Sequence, residues 1–194
     1  MIYIASKRSK LENIQKKYLN AIICDVTSTS DNGLVKLSPF YPHGNIPVPF
    51  SPNYTSYSVE GIWQGLKVFE KEDVDINLFS NNTMKNLKRT CRKHGSIIGH
   101  RMGVNGEDIL DYISAKQRIY IPTYKWVLDN VVNHIIEKMR VACQKSDLVL
   151  LDYNTSEDVN SLTKPLSHAY LIKAYIQGTY PYAENVSTII TSKQ

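Results

Sequence analysis

Five of the eight prolines fall in one short stretch, at Pro39, Pro42, Pro47, Pro49 and Pro52. Proline fixes φ and has no amide donor, so this density excludes a helix or a central strand. With Gly33 and Gly44, residues 27–56 read as irregular. A linker would be polar, yet this stretch carries Phe40, Tyr41, Val48, Phe50 and Tyr54. Apolar side chains in a Pro-rich loop imply a loop packed against the body, of the kind that forms one wall of a site.

Regular elements flank the loop. Residues 2–5 read as a strand, Ser9 as the cap of a helix over about 10–19, and 21–26 as a buried strand, giving a β-α-β opening. After the loop, Ser58 caps a helix expected over 59–70, with Val59, Ile62, Trp63, Leu66 and Phe69 on one face. Asn82 or Thr83 caps another over 84–94. Residues 107–138 are helical in pattern, with Pro122 as a break or a new start. Leu148 to Asp152 is a second buried strand, and Ser167 caps a last helix over 168–177, stopped by Gly178. The tail from about 184 is polar and prone to fray.

The 194 residues fit one domain. Hydrophobic residues at 42% and charged residues at 21% exclude wholesale disorder. Thirteen tyrosines against four phenylalanines suit a polar ligand cleft or an interface, or reflect compositional drift. The formal charge of +5 permits anionic ligands or nucleic acid. Three scattered cysteines make no CxxC pair and suit a reducing cytosol. The absence of a long apolar run predicts no membrane span, and no signal peptide is evident. The histidines have no metal-ligand spacing, so no metal or cofactor is expected. No GxGxxG, Walker or GxSxG motif occurs, and Asn185-Val-Ser is a glycosylation triplet without meaning in a cytosolic chain.

Two constellations carry chemistry. Glu60, Gln64 and Lys67 stand at i, i+4 and i+7, one stripe of a helix beside Trp63. They read either as a set that holds a polar ligand or as a solvated ladder. Lys85, Lys88, Arg89 and Arg92 stand at i, i+3, i+4 and i+7, with no acidic residue between Asp75 and Glu107. That stripe is either a phosphate clamp, with Arg89 and Arg92 as its two-pronged members, or a solvated face.

Ser38-Pro-Phe-Tyr-Pro42 followed by Ser58-Val-Glu60-x-x-x-Gln64-x-x-Lys67 resembles the NADAR family. That family includes N-glycosidases of riboflavin-pathway intermediates and enzymes that remove ADP-ribose from guanine. Arg118 to Tyr124 leading into Lys125-Trp126, then Leu150-Leu151-Asp152 with Asp158, extends the similarity over about 38–158. Gly61 stands where the family usually has His, and no Trp-Gly follows Asp158. The core Ser-Val-Glu-Gly-Ile-Trp-Gln-Gly-Leu-Lys is also similar to an uncharacterised bacterial and phage family.

The element count reads as an α+β fold: the resemblance implies a predominantly helical NADAR-like core over 38–160, and the residue pattern adds a β-α-β extension over 1–37 and a C-terminal helix and tail over 161–194, neither with a counterpart in the short NADAR members. The resemblance implies hydrolysis of an N-glycosidic bond in a nucleotide or an ADP-ribosylated group, in the cytoplasm. Glu60 would be the carboxylate facing an oxocarbenium-like sugar, Lys67 the phosphate or leaving-group contact, and Asp152 a second carboxylate or else a turn cap. Phe40, Tyr41, Trp63, Gln64, Arg89, Arg92, Arg118, Lys125 and Trp126 would bind substrate. The alternatives are a non-catalytic nucleotide- or nucleic-acid-binding module and a base-exchange transferase. The oligomeric state is not specified by the sequence.

Overall fold

The apolar run at 148–152 is the centre of a three-stranded parallel sheet in a computed structural model that describes residues 1–181. The polar tail and the Asn185 triplet lie outside the described residues. Two compact units are formed, one from residues 1–38 and 128–181, the other from 39–127. In chain order the elements are β1 (Ile2–Ser6), α1 (Leu11–Lys17), β2 (Ile22–Asp25), β3 (Ile46–Pro47), β4 (Thr55–Ser56), α2 (Val59–Gly65), β5 (Lys67–Phe69), α3 (Cys91–His94), β6 (Ile97–Arg101), β7 (Ile109–Leu110), α4 (Tyr112–Ala115), α5 (Ile121–Asn130), α6 (Asn133–Lys145), β8 (Leu148–Asp152) and α7 (His168–Gln177). Short 3-10 turns occupy Gly33–Leu37 and Ile76–Ser80, and a π turn occupies Lys116–Tyr120.

In the first unit β8 lies between β1 and β2 and pairs with both in parallel, Ile4 and Cys24 each opposite Leu150. All five β8 residues are buried, as a central strand covered on both faces requires. Ile14 of α1 packs on Val149 and Leu151 with Tyr3 and Ile23 beside it. Helix α7 packs on β1, β8 and α6. The expected β-α-β opening therefore has its two strands separated by a third from far along the chain.

In the second unit β5, β6 and β7 form an antiparallel sheet and β3 and β4 a two-residue ribbon. Residues 84–90 do not form the expected helix: Met84 and Asn86 sit at φ 59° and 58°, in the left-handed region, and only 91–94 is helical. Helix α2 stops at Gly65 rather than 70, because Lys67 and Val68 pair with His100 and Gly99 across β5 and β6. Pro122 neither breaks nor starts a helix: α4, the π turn and α5 run on without interruption over 112–130, and Pro122 sits just past the π turn, whose altered bonding pattern accommodates its missing donor. Helical residues make up 39%, so the fold is mixed α/β and not predominantly helical. The shortfall lies where strand pairing and left-handed residues displaced expected turns of helix. No helix among the described residues is long and apolar enough to cross a membrane.

Candidate functional site

Ser58 caps α2 by accepting the Gly61 N–H at 3.0 Å. The Glu60 N–H donates to the Pro39 carbonyl at 2.8 Å, which ties the Pro-rich loop to the first turn. Phe40 and Tyr41 follow that anchor half-buried, Phe40 with the Lys88 ammonium 5.7 Å from its ring and Tyr41 against His43.

Behind this anchor the three stripe residues form a hydrogen-bonded chain. Gln64 Nε2 donates to Glu60 Oε1 at 2.8 Å, and Lys67 Nζ donates to Gln64 Oε1 at 3.1 Å. The Arg89 backbone N–H donates to the same Gln64 oxygen at 3.2 Å, so the carboxamide is held in one orientation. All three side chains are buried, with 7%, 5% and 9% of their residue surfaces exposed. The solvated-ladder reading therefore does not hold. Lys67 reaches Gln64 from the first residue of β5, so the i+7 spacing meets the chain without a continuous helix. Burial pushes the Lys67 ammonium below its ordinary range, with Glu60 opposing and Arg89 reinforcing the shift.

The opposite side of α2 is built from glycines. A Cβ at Gly61 would stand 2.8 Å from the Leu78 carbonyl oxygen and from Ser56 Oγ, and one at Gly65 would stand 2.4 Å from the Phe79 ring. The helix thus lies directly on the 76–80 turn, and position 61 has no room for the histidine of the NADAR pattern.

Trp63, half-buried, stacks on His100 with ring centroids 3.8 Å apart and meets Tyr112 and Tyr120 edge-on. The Lys67 ammonium lies 5.9 Å from the Trp63 ring, and the buried Lys116 ammonium 4.7 Å from Tyr112. His100 is 1% exposed, and neither ring nitrogen has a hydrogen bond of normal geometry. Burial, then the Lys67 charge, pushes its pKa down to about 3 against a weaker pull from the Trp63 backbone, so the ring is neutral. Sequence reasoning missed His100, Lys116, Tyr112 and Tyr120. No local spacing marks them: His100, Tyr112 and Tyr120 come to Trp63, and Lys116 to Tyr112, from β6, α4 and the π turn, far from α2 in sequence. Arg118 lies over the Phe50 ring at 5.2 Å, and Lys125 and Trp126 are half-buried on α5.

The basic stripe is not formed. Arg89 is buried, and its guanidinium donates to the carbonyls of Lys67 at 2.6 Å, Gln64 at 3.4 Å and Asp73 at 2.8 Å, with Glu72 Oε2 at 3.3 Å. It clamps the turn after α2 and is not presented to a phosphate. Arg92 is exposed on the single turn of α3.

Asp152 belongs to the first unit. Its Oδ2 accepts from Ser167 Oγ at 2.7 Å and the Ala169 N–H at 3.4 Å and lies 3.0 Å from His168 Nδ1. It caps α7 rather than the turn at Asn154 and Thr155. His168 Nε2 lies 2.9 Å from the Val26 carbonyl, so both ring nitrogens face acceptors and the ring is an imidazolium. Burial alone would raise the Asp152 carboxyl and lower the His168 imidazole; their contact reverses both, holding Asp152 low and His168 high. These bonds commit Asp152 to holding the first unit together.

A separate cleft of about 600 Å³ opens between the β3–β4 ribbon and the 76–80 turn, with Phe79 and Ser56 as its buried floor. None of the site residues expected from the sequence lines it. Among the described residues no group of three or more His, Cys, Asp or Glu is placed to hold a metal ion.

No curated protein and no solved structure gives a significant match to the chain. Residues 6–172 match a family of unknown function (DUF6939), and the chain belongs to that family.

Proposed function

We propose that the second unit is a divergent NADAR-like N-glycosidase acting on a nucleotide or an ADP-ribosylated group in the cytoplasm. The observation that supports this reading is the buried Glu60–Gln64–Lys67 chain. Burying a carboxylate and an ammonium costs several kcal/mol per ion, and apolar side chains of similar volume would serve stability as well or better. Charges kept under that penalty, with a shifted ammonium among them, are what a reaction centre requires.

In this reading Glu60 faces the sugar carbon as positive charge develops and orients the attacking water. Gln64 fixes the carboxylate, and Lys67 stabilises the departing base or a phosphate. Trp63 and Tyr120 supply ring faces for the base. No step needs a metal.

The test is release of free base from candidate nucleotides, including ADP-ribosylated guanosine and riboflavin-pathway intermediates, by the purified wild-type chain. Release from any of them supports the reading. Binding without release from every candidate would leave a nucleotide-binding module in its place.

A further inference from the structure

We propose that the cleft beside the β3–β4 ribbon binds an uncharged, hydroxyl-bearing ring: the sugar of a neutral glycan or of a nucleoside. The inference does not depend on the glycosidase reading, because it rests on a different surface of the second unit.

The cleft is preformed. Three chain segments are stitched around it: the Gly44 N–H donates to the Tyr57 carbonyl at 3.0 Å, the Tyr57 N–H to the Phe79 carbonyl at 2.8 Å, and the Val48 N–H to the Tyr54 carbonyl at 3.1 Å. Ser56 Oγ adds a bond to the Phe79 carbonyl at 3.3 Å. Its volume of about 600 Å³ falls within the range of small-molecule sites, on the order of 300–1,000 Å³. A preformed cleft loses little ordering entropy when a ligand enters.

Its chemistry selects the ligand class. No Asp, Glu, Lys or Arg lines the cleft, in a chain of which 21% is charged; its one basic side chain is His43, packed against the Tyr41 ring at 4.8 Å. A phosphate or carboxylate there would find no ammonium or guanidinium, only the His43 imidazole, and a cation no carboxylate. What the cleft offers is ring faces and neutral hydrogen-bonding groups. Phe79 lies at the floor with Tyr54 edge-on to it, centroids 6.4 Å apart, and Tyr57 stands at the rim 41% exposed. The amides of Asn45 and Asn53 and the Tyr57 hydroxyl make no hydrogen bond to any described residue. Each amide supplies both a donor and an acceptor, as a pair of neighbouring hydroxyls demands. Apolar ring faces with convergent neutral donors and acceptors fit the alternating C–H and O–H surface of a sugar.

Two variants spare the fold. Tyr57→Ala removes an exposed ring without opening the core. Asn53→Gly removes the amide at a residue with φ 75°, a backbone that glycine adopts without strain. The wild-type chain and both variants are titrated calorimetrically and by ligand-observed NMR with neutral oligosaccharides in one arm and nucleosides in the other. Each nucleoside is paired with its 5′-phosphate, at low and high salt. The expected result is binding in one arm, unchanged by salt or by the 5′-phosphate, and weakened by roughly tenfold or more in each variant. The arm that binds identifies the source of the ring. Absence of binding in both arms at millimolar ligand would overturn the proposal. So would binding that both variants leave unchanged, or binding confined to the phosphorylated forms and lost at high salt.

Discussion

Two histidines set opposite edges of the stability profile. Folded His100 titrates at about 3, below the 6.5 of an exposed imidazole. The unfolded chain therefore takes up a proton first, and stability is lost as pH falls below about 6.5, by up to roughly 1.4 kcal/mol per pH unit. His168 is shifted the other way. Its contribution is full below the ordinary imidazole pKa and is lost as pH rises through its raised value. Asp152, held low, gives up its share only in acid below the ordinary 3.8. Urea unfolding of His100→Phe from pH 7 to 4 should show a flatter acid limb than wild type, whatever the substitution costs at pH 7, because the variant has no imidazole to titrate. An unchanged acid limb would mean that His100 is not the group that titrates. Replacing Arg89 separates a clamp from a surface charge. Arg89→Ala leaves carbonyls of the turn unpaired and should lower stability by about 2–4 kcal/mol, on the scale of lost buried charge-assisted bonds. Arg89→Lys should recover little of it, since an ammonium cannot reproduce the fork. Arg92→Ala should stay within about 0.5 kcal/mol of wild type, as surface changes do.

At the scale of elements, α2 is placed by its small residues. Gly65→Ala would drive a methyl group into the Phe79 ring and Gly61→Ala one against the Leu78 carbonyl. Each should cost about 1–3 kcal/mol by overpacking, read as a lowered denaturation midpoint. The same elements explain what the sequence made legible. Ser58, Ser167 and Gly178 act where their types suggest, because a cap is satisfied within four residues of itself. The irregular Pro-rich segment and the Glu60–Gln64 pair were readable for the same local reason. Lys67 was expected on a helix and stands on a strand, because Val68 and Phe69 have partners in β6 some thirty residues on. The basic stripe failed where Met84 and Asn86 turned left-handed, and neither residue announces that conformation as a glycine would. His100 and the cleft were invisible because each is assembled from segments distant in sequence.

At the scale of the molecule, the first unit depends on both ends of the described chain. β1 and β2 pair with β8 and not with each other. A chain ending at residue 147 should therefore lose the cooperative unfolding of that unit, seen as amide exchange at Tyr3, Ile4 and Ile23 rising toward that of an unfolded chain. Protection retained at those amides would mean that β1 and β2 can pair directly. The functional account rests on the second unit and on one carboxylate in it. Glu60→Gln keeps the size and the bond partner of that side chain while removing its charge. A group that acts on an oxocarbenium-like transition state contributes little to ground-state binding. The decisive measurement is steady-state base release by wild type and Glu60→Gln on the best substrate. The account predicts kcat lower by about two to three powers of ten with KM changed by less than about threefold; equal kcat for the two proteins would contradict it.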